Sequence, residues 1–218
     1  MTGGIKPSCV ICAWRATCNK KFSIINPSTC PDYSFDVTIK EMPGMKGVKV
    51  LMEGAPGVGK TTLVERLVTR LYKEKRLGGF FTREIREGGE RKGFRIITLD
   101  KMEGVLAHVE FTGGMRVGRY AVDIEALERV GVASVERAIK EDNIVVIDEI
   151  GKMELLSGHF RDVVEVALNS ENALVATAPS DGTPFADEVK KRPDVRHLTL
   201  TAENRDELLD EVVKLLTR

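Results

Sequence analysis

The 218-residue sequence contains no glutamine, no cysteine beyond position 30 and a single tryptophan, and its 33 basic and 33 acidic side chains leave no net charge. Each absence excludes something. A neutral chain does not work by coating phosphate backbones or anionic lipid, which demands an excess of positive charge. No apolar run approaches the ~18 residues that span a bilayer, so no membrane partner is expected. The segment Met1 to Ser8 lacks the long apolar stretch of a secretory signal, and a cytoplasmic location follows. Missing glutamine beside 30% charged residues is the lean of proteins from hot environments, where thermolabile amides are depleted and ion pairs abound.

The distribution of what is present divides the chain. Residues 1–44 hold Cys9, Cys12, Cys18 and Cys30, the single Trp14 and half of the eight prolines, with five basic and three acidic groups. They read as a small N-terminal four-cysteine module. Four thiolates in so short a span suit tetrahedral Zn²⁺ or an iron–sulfur cluster, with disulfides or free thiols as the alternative. Residues 45–218 are a separate domain with 28 basic and 30 acidic groups. Nucleic acid is therefore disfavoured as a partner for this domain and an open question for the module, and Met45 is a second candidate start. The sequence is silent on oligomeric state.

From Met45 onward, short apolar runs alternate with amphipathic stretches, the pattern of strand–helix units around a mainly parallel sheet flanked by helices. Val48 to Met52 predicts a strand. Leu63, Val64, Leu67, Val68 and Leu71 line one face of a helix, with Gly78-Gly79 as its stop signal. Phe94 to Leu99 and Val105 to Val109 predict a hairpin, and Ile124 to Lys140 a helix. Ile144 to Ile147 and Ala173 to Ala178 predict strands on either side of a helix buried through Phe160, Val163, Val164, Ala167 and Leu168. A short strand near Leu198 to Leu200 precedes a closing helix, capped by the pair Asn204 and Glu207.

One motif carries specific chemistry. Gly54-Ala55-Pro56-Gly57-Val58-Gly59-Lys60-Thr61 fits G-x-x-x-x-G-K-[ST], between a predicted strand and a predicted helix as its mechanism requires. Its glycines let the backbone wrap a phosphate with N–H groups pointing inward, at the positive end of the helix that follows. Lys60 reaches the β- and γ-phosphates, and the Thr61 hydroxyl is a Mg²⁺ ligand. The acidic half of such a site ends the strand Ile144 to Ile147: Asp148 on the metal side, and Glu149 placed to take a proton from the attacking water. Without glutamine the chain cannot orient that water as some GTPases do, which leaves Glu149. There is no Asn-Lys-x-Asp segment to select guanine, so broad use of bases is expected. Arg83, with Arg86 beside it, is the candidate for charge on the migrating phosphate, against the plain reading of solvated surface arginines. Lys152 and Thr177 are minor candidates, and the three histidines receive no role.

The strings Gly54 to Thr62, Gly79-Phe80-Phe81-Thr82-Arg83-Glu84-Ile85-Arg86-Glu87-Gly88-Gly89, and Val146-Ile147-Asp148-Glu149-Ile150-Gly151-Lys152-Met153-Glu154-Leu155 closely resemble the cancer-related nucleoside-triphosphatase family, over about Lys46 to Arg218. The resemblance implies an α/β P-loop NTPase core of RecA/AAA-like type that hydrolyses ATP, GTP, CTP, UTP and TTP to the diphosphate with Mg²⁺. By residue, it implies that Gly54, Ala55, Pro56, Gly57, Val58, Gly59, Lys60, Thr61 and Thr62 bind the triphosphate. Val145, Val146, Ile147, Asp148, Glu149, Ile150, Gly151 and Lys152 would close the other side. It leaves the cysteines unexplained. Two other functions use the same loop: a nucleoside or nucleotide kinase, which needs an acceptor, and a nucleotide-gated switch whose cysteine module docks a partner.

Overall fold

In β1 (Lys49–Gly54), Val50 and Met52 point to one face of a sheet and Leu51 to the other, as the two-residue period of a strand dictates, and all three are buried. The computed structural model describes residues 47–217; Cys9, Cys12, Cys18 and Cys30, and with them the expected N-terminal module, lie outside the described residues. The strand passes through a Gly-rich loop into α1 (Lys60–Leu71), which buries Leu63, Val64, Leu67 and Leu71 as its periodicity predicts. Both faces of the sheet are covered. Val50, Met52, Val146 and Val175 pack under α1 and α6 (Arg205–Thr217), whereas Leu51, Phe80, Val145 and Ile147 pack under α4 (Gly158–Asn169) and its neighbours. Coverage on both sides explains why every residue of β7 (Ile144–Ile147) and β8 (Leu174–Pro179) is buried and why neither run alternates, Thr177 being the one polar residue in them.

The nine strands run in the order β5-β6-β4-β3-β2-β7-β8-β1-β9. From β2 (Leu77–Glu87) to β9 (Val195–Thr199) the pairs are parallel. The other half, β2 to β3 (Glu90–Thr98), β4 (Glu103–His108), β6 (Tyr120–Val122) and β5 (Arg116–Val117), is antiparallel. The sheet is thus mixed rather than mainly parallel. The expected hairpin is β3–β4, whereas β2 is a strand that the apolar pattern does not predict. Its first residues pair with β7, and from Phe80 onward it pairs with β3 through a tight turn at Gly88-Gly89, both at positive φ as such turns require.

Gly78-Gly79 does not stop a helix. Helix α1 has already ended at Leu71, and the two glycines lie inside β2. They are glycines because neighbours come too close for a side chain: a Cβ on Gly79 would collide with the Val146 carbonyl, and one on Gly78 would meet the Ala138 Cβ at 2.7 Å. The helix expected over 124–140 is present but divided, into α2 (Ile124–Ala126), a π-helical stretch Leu127–Val132 and α3 (Ala133–Lys140). Asp123 caps it by accepting from the Ala126 N–H. A further helix, α5 (Pro184–Lys190), starts with Thr183 as N-cap and proline in its first turn, a favoured pairing. At α6 the Asn204 side chain does not cap the helix. It turns back to β9, accepting from the Thr201 N–H and donating to the Thr199 carbonyl. No helix among the described residues is long and apolar enough to cross a membrane.

Candidate active site

The loop Gly54 to Gly59 leaves β1 at the carboxyl edge of the parallel strands, where open α/β sheets bind ligands. Gly57 at φ 78° and Gly59 at φ 99° occupy the left-handed region, which glycine enters without steric cost. Ala55, Pro56 and Gly57 form the exposed crest, while Lys60 is 9% exposed. The Lys60 ammonium crosses beneath the loop, donates to the Gly54 carbonyl at 2.8 Å and stands 3.3 Å from Glu149 Oε2. Thr61 and Thr62 follow in the first turn of α1.

Strand β8 separates β1 from β7, so Asp148 and Glu149 face the loop across the end of β8. Thr177, on β8, bridges that gap: its hydroxyl donates to Asp148 Oδ1 at 2.6 Å. Asp148 is almost fully buried, and its Oδ2 makes no well-formed hydrogen bond among the described residues. Burial pushes the carboxyl up from its ordinary value, against the opposing pull of the Thr177 and Thr61 hydroxyls, the Lys60 charge and the Thr82 backbone N–H. Glu149 is likewise raised, first by burial and also by the Asp148 charge, with Lys60 opposing.

A third carboxyl stands behind these two. Glu154, in a 3₁₀ turn Glu154–Leu156 before α4, is buried, and burial pushes it to about 8, with the Glu149 and Asp148 charges adding to the effect. Gly151 makes room for the group: a Cβ there would sit 2.7 Å from Glu154 Oε2 and 3.0 Å from Glu149 Oε1. The sequence pattern does not separate Glu154 from an ordinary surface glutamate, because its burial depends on the loop that carries it back beneath Glu149.

The other candidates divide. Val145, Val146, Ile147 and Ile150 are fully buried, and the Ile150 N–H donates to the Thr177 carbonyl, tying the strand end to β8. Lys152 is exposed and paired with Asp181 at 3.1 Å. Arg83 leans on α1, paired with Glu65 at 2.7 Å and over the Phe81 ring. Arg86 points the other way along the hairpin, to Glu84 and the Gly89 carbonyl. Arg205, which the sequence does not single out, donates from Nε to the Val58 carbonyl at 2.9 Å.

The donor set fits Mg²⁺. Asp148 Oδ2 is a buried carboxylate oxygen lacking a good partner, and the Thr61 hydroxyl is beside the same carboxyl. Among the described residues no cluster of three or more His, Cys, Asp or Glu side chains forms a protein-only cage, and Mg²⁺ characteristically takes one or two protein oxygens and completes its shell with water and substrate phosphate.

Comparison with known proteins matches the chain to one family. A family described as NTPase matches residues 49–213. "Nucleoside-triphosphatase THEP1" of Thermotoga maritima is 47% identical over 169 residues, covering 78% of this chain and 95% of that protein. The protein of the same name from Methanocaldococcus jannaschii is 42% identical over 168 residues, covering 76% of this chain and 95% of that one. Among solved structures, THEP1 from the hyperthermophile Aquifex aeolicus superposes with a TM-score of 0.72 at 39% identity, covering 78% of this chain and all of that one. A human cancer-related nucleoside triphosphatase superposes at 0.68 and 35% identity, covering 77% and 96%. The chain belongs to the THEP1 family of nucleoside-triphosphatases, which are hydrolases.

Proposed function

We propose that this chain is a Mg²⁺-dependent P-loop NTPase with a RecA/AAA-like core, which hydrolyses ATP, GTP, CTP, UTP and TTP to the diphosphate and phosphate. The observation that carries the reading is the placement of Glu149: a partly exposed carboxylate, 3.3 Å from the loop lysine, beside a buried aspartate aimed at the same edge. The water oxygen bonds to the γ-phosphorus as the bond to the β,γ-bridging oxygen breaks, and Glu149 accepts the water proton. Lys60 and the loop N–H groups hold the charge that gathers on the phosphate oxygens. Asp148 and the Thr61 hydroxyl would hold Mg²⁺, which when bound would supply further neutralisation of phosphate charge. Arg83 leaves Glu65 to reach the γ-phosphate.

The test is phosphate release from each triphosphate with Mg²⁺ and no acceptor, at elevated temperature in view of the glutamine-free composition and the hyperthermophile relative. Release in the absence of acceptor supports hydrolysis; release only when a nucleoside is added identifies a kinase instead. The relatives' shared name supports the hydrolytic outcome.

A further inference from the structure

The order β7-β8-β1-β9 places the loop's two flanks on opposite sides of β1. On one side, across β8, are Asp148 and Glu149. On the other, next to β1, is β9 and the turn that leads into α6. Neighbouring strands are only ~5 Å apart, so both flanks lie within reach of one extended nucleotide. If the γ-phosphate meets Glu149, the nucleoside leaves the loop on the β9 side, where Arg205 stands.

Arg205 is built into that position. Its Nε donates to the Val58 carbonyl of the loop at 2.9 Å. Its guanidinium lies over Gly59 so closely that a Cβ there would be 3.5 Å from Nε, 3.7 Å from Cζ and 3.9 Å from Nη2. The turn presenting it is fixed by Asn204, whose amide spans the Thr199 carbonyl and the Thr201 N–H. The neighbouring Asp206 is engaged elsewhere, with Arg66 at 2.7 Å. No carboxylate pairs with Arg205 at ion-pair distance among the described residues, and Glu203, two residues earlier, feels its charge without closing on it. The side chain is nonetheless exposed.

We infer that Arg205 is the nucleoside-binding residue of the site: its guanidinium, clamped on one edge by Val58, offers its plane to the base of the bound triphosphate. The inference rests on the proposed hydrolysis only in taking the γ-phosphate to lie at Glu149. A planar cation stacks on any aromatic face. Every base has such a face, so this contact strengthens binding without choosing among bases, which is what broad base use requires. Lysine, a compact ammonium on a flexible stem, does not reproduce it.

Inorganic tripolyphosphate separates this role from mere support of the loop, because it has the phosphates and no nucleoside. Calorimetric binding of the β,γ-imido analogues of ATP and GTP, and of tripolyphosphate, all with Mg²⁺, reads affinity without turnover. Arg205→Ala weakens both analogues roughly tenfold, leaves tripolyphosphate unchanged and leaves the melting temperature unchanged; Arg205→Lys behaves like the alanine variant. Equal losses for tripolyphosphate and the nucleotides overturn the inference in favour of a loop clamp, and so does unaltered nucleotide affinity. A wild-type protein that binds the analogues but releases no phosphate from true triphosphates refutes the hydrolytic reading and leaves this comparison decisive.

Discussion

The Lys60 ammonium stands 3.3 Å from Glu149 Oε2, although β1, which leads into the loop of Lys60, and β7, which leads to Glu149, are separated by β8. The loop cation and the strand-end carboxylate therefore act on one volume: burial and the Asp148 charge push Glu149 up while the Lys60 charge opposes them, with a net upward shift. A water placed against Glu149 is thus also against the end of the loop where Lys60 would hold a γ-phosphate.

Glu149→Gln tests that pairing. The amide retains shape but cannot accept the proton, so kcat falls by about 10²–10⁴-fold while equilibrium nucleotide binding persists. The pH dependence has a definite sign. A base with a raised value is ionised only above it, so the acid limb of kcat/KM lies above 4.5, the ordinary value for glutamate, and vanishes in the variant. Normal turnover by Glu149→Gln sinks the assignment.

Glu154 predicts a stability effect instead. Its value is about 8 in the folded protein against 4.5 ordinarily, so folding favours the protonated form. The stabilisation is complete below about pH 4.5 and is lost as pH rises towards and through 8. Glu154→Gln, neutral at every pH, removes this component. Thermal melting of wild type and variant at several pH values between 4.5 and 9 should show a gap that moves in the variant's favour as pH rises. A gap independent of pH would mean that Glu154 is ionised in the fold.

Thr177 links strand β8 to the buried Asp148 carboxyl through its 2.6 Å bond to Oδ1. Thr177→Val keeps the volume and deletes the donor, leaving a buried carboxylate with less support. A hydrogen bond to a charged group contributes about 1.5–3 kcal/mol, so the melting temperature falls measurably without Mg²⁺. If Asp148 holds Mg²⁺ as proposed, saturating Mg²⁺ and nucleotide recover part of the loss, since a cation at the carboxylate offsets the missing donor. An equal loss with and without ligand would place Thr177 in the packing alone.

How far the sequence reaches depends on whether a feature is contiguous. The phosphate loop is read directly because its glycines, lysine and threonine are neighbours in the chain, and Asp148-Glu149 because an apolar strand announces its own end. Gly78-Gly79 misleads because a glycine demanded by the closeness of Val146 and Ala138 looks the same as one demanded by a turn. Strand β2 is hidden for that reason, and with it the junction that joins the expected β3–β4 hairpin to the parallel strands. Arg205 is invisible as a site residue because its partner Val58 lies 147 positions away. Glu154 is invisible because burial of a carboxylate is a property of the packed loop, not of the residues beside it.

Arg83 offers the clearest choice between surface and site. It is exposed and pairs with Glu65 on α1 at 2.7 Å, and exposed pairs contribute only ~0–1 kcal/mol. Arg83→Ala and Glu65→Ala should therefore each shift the melting temperature little. Their effects on turnover should diverge. If Arg83 moves to the γ-phosphate, Arg83→Ala lowers kcat by an order of magnitude or more, since cationic contacts of this kind act mainly on the transition state. Glu65→Ala, which only frees the arginine, leaves kcat unchanged or raises it. Steady-state kinetics on the two single variants and the double variant decide the matter. Equal, small effects from both would confine Arg83 to its surface pair, and the charge on the migrating phosphate would then fall to Lys60 and the loop.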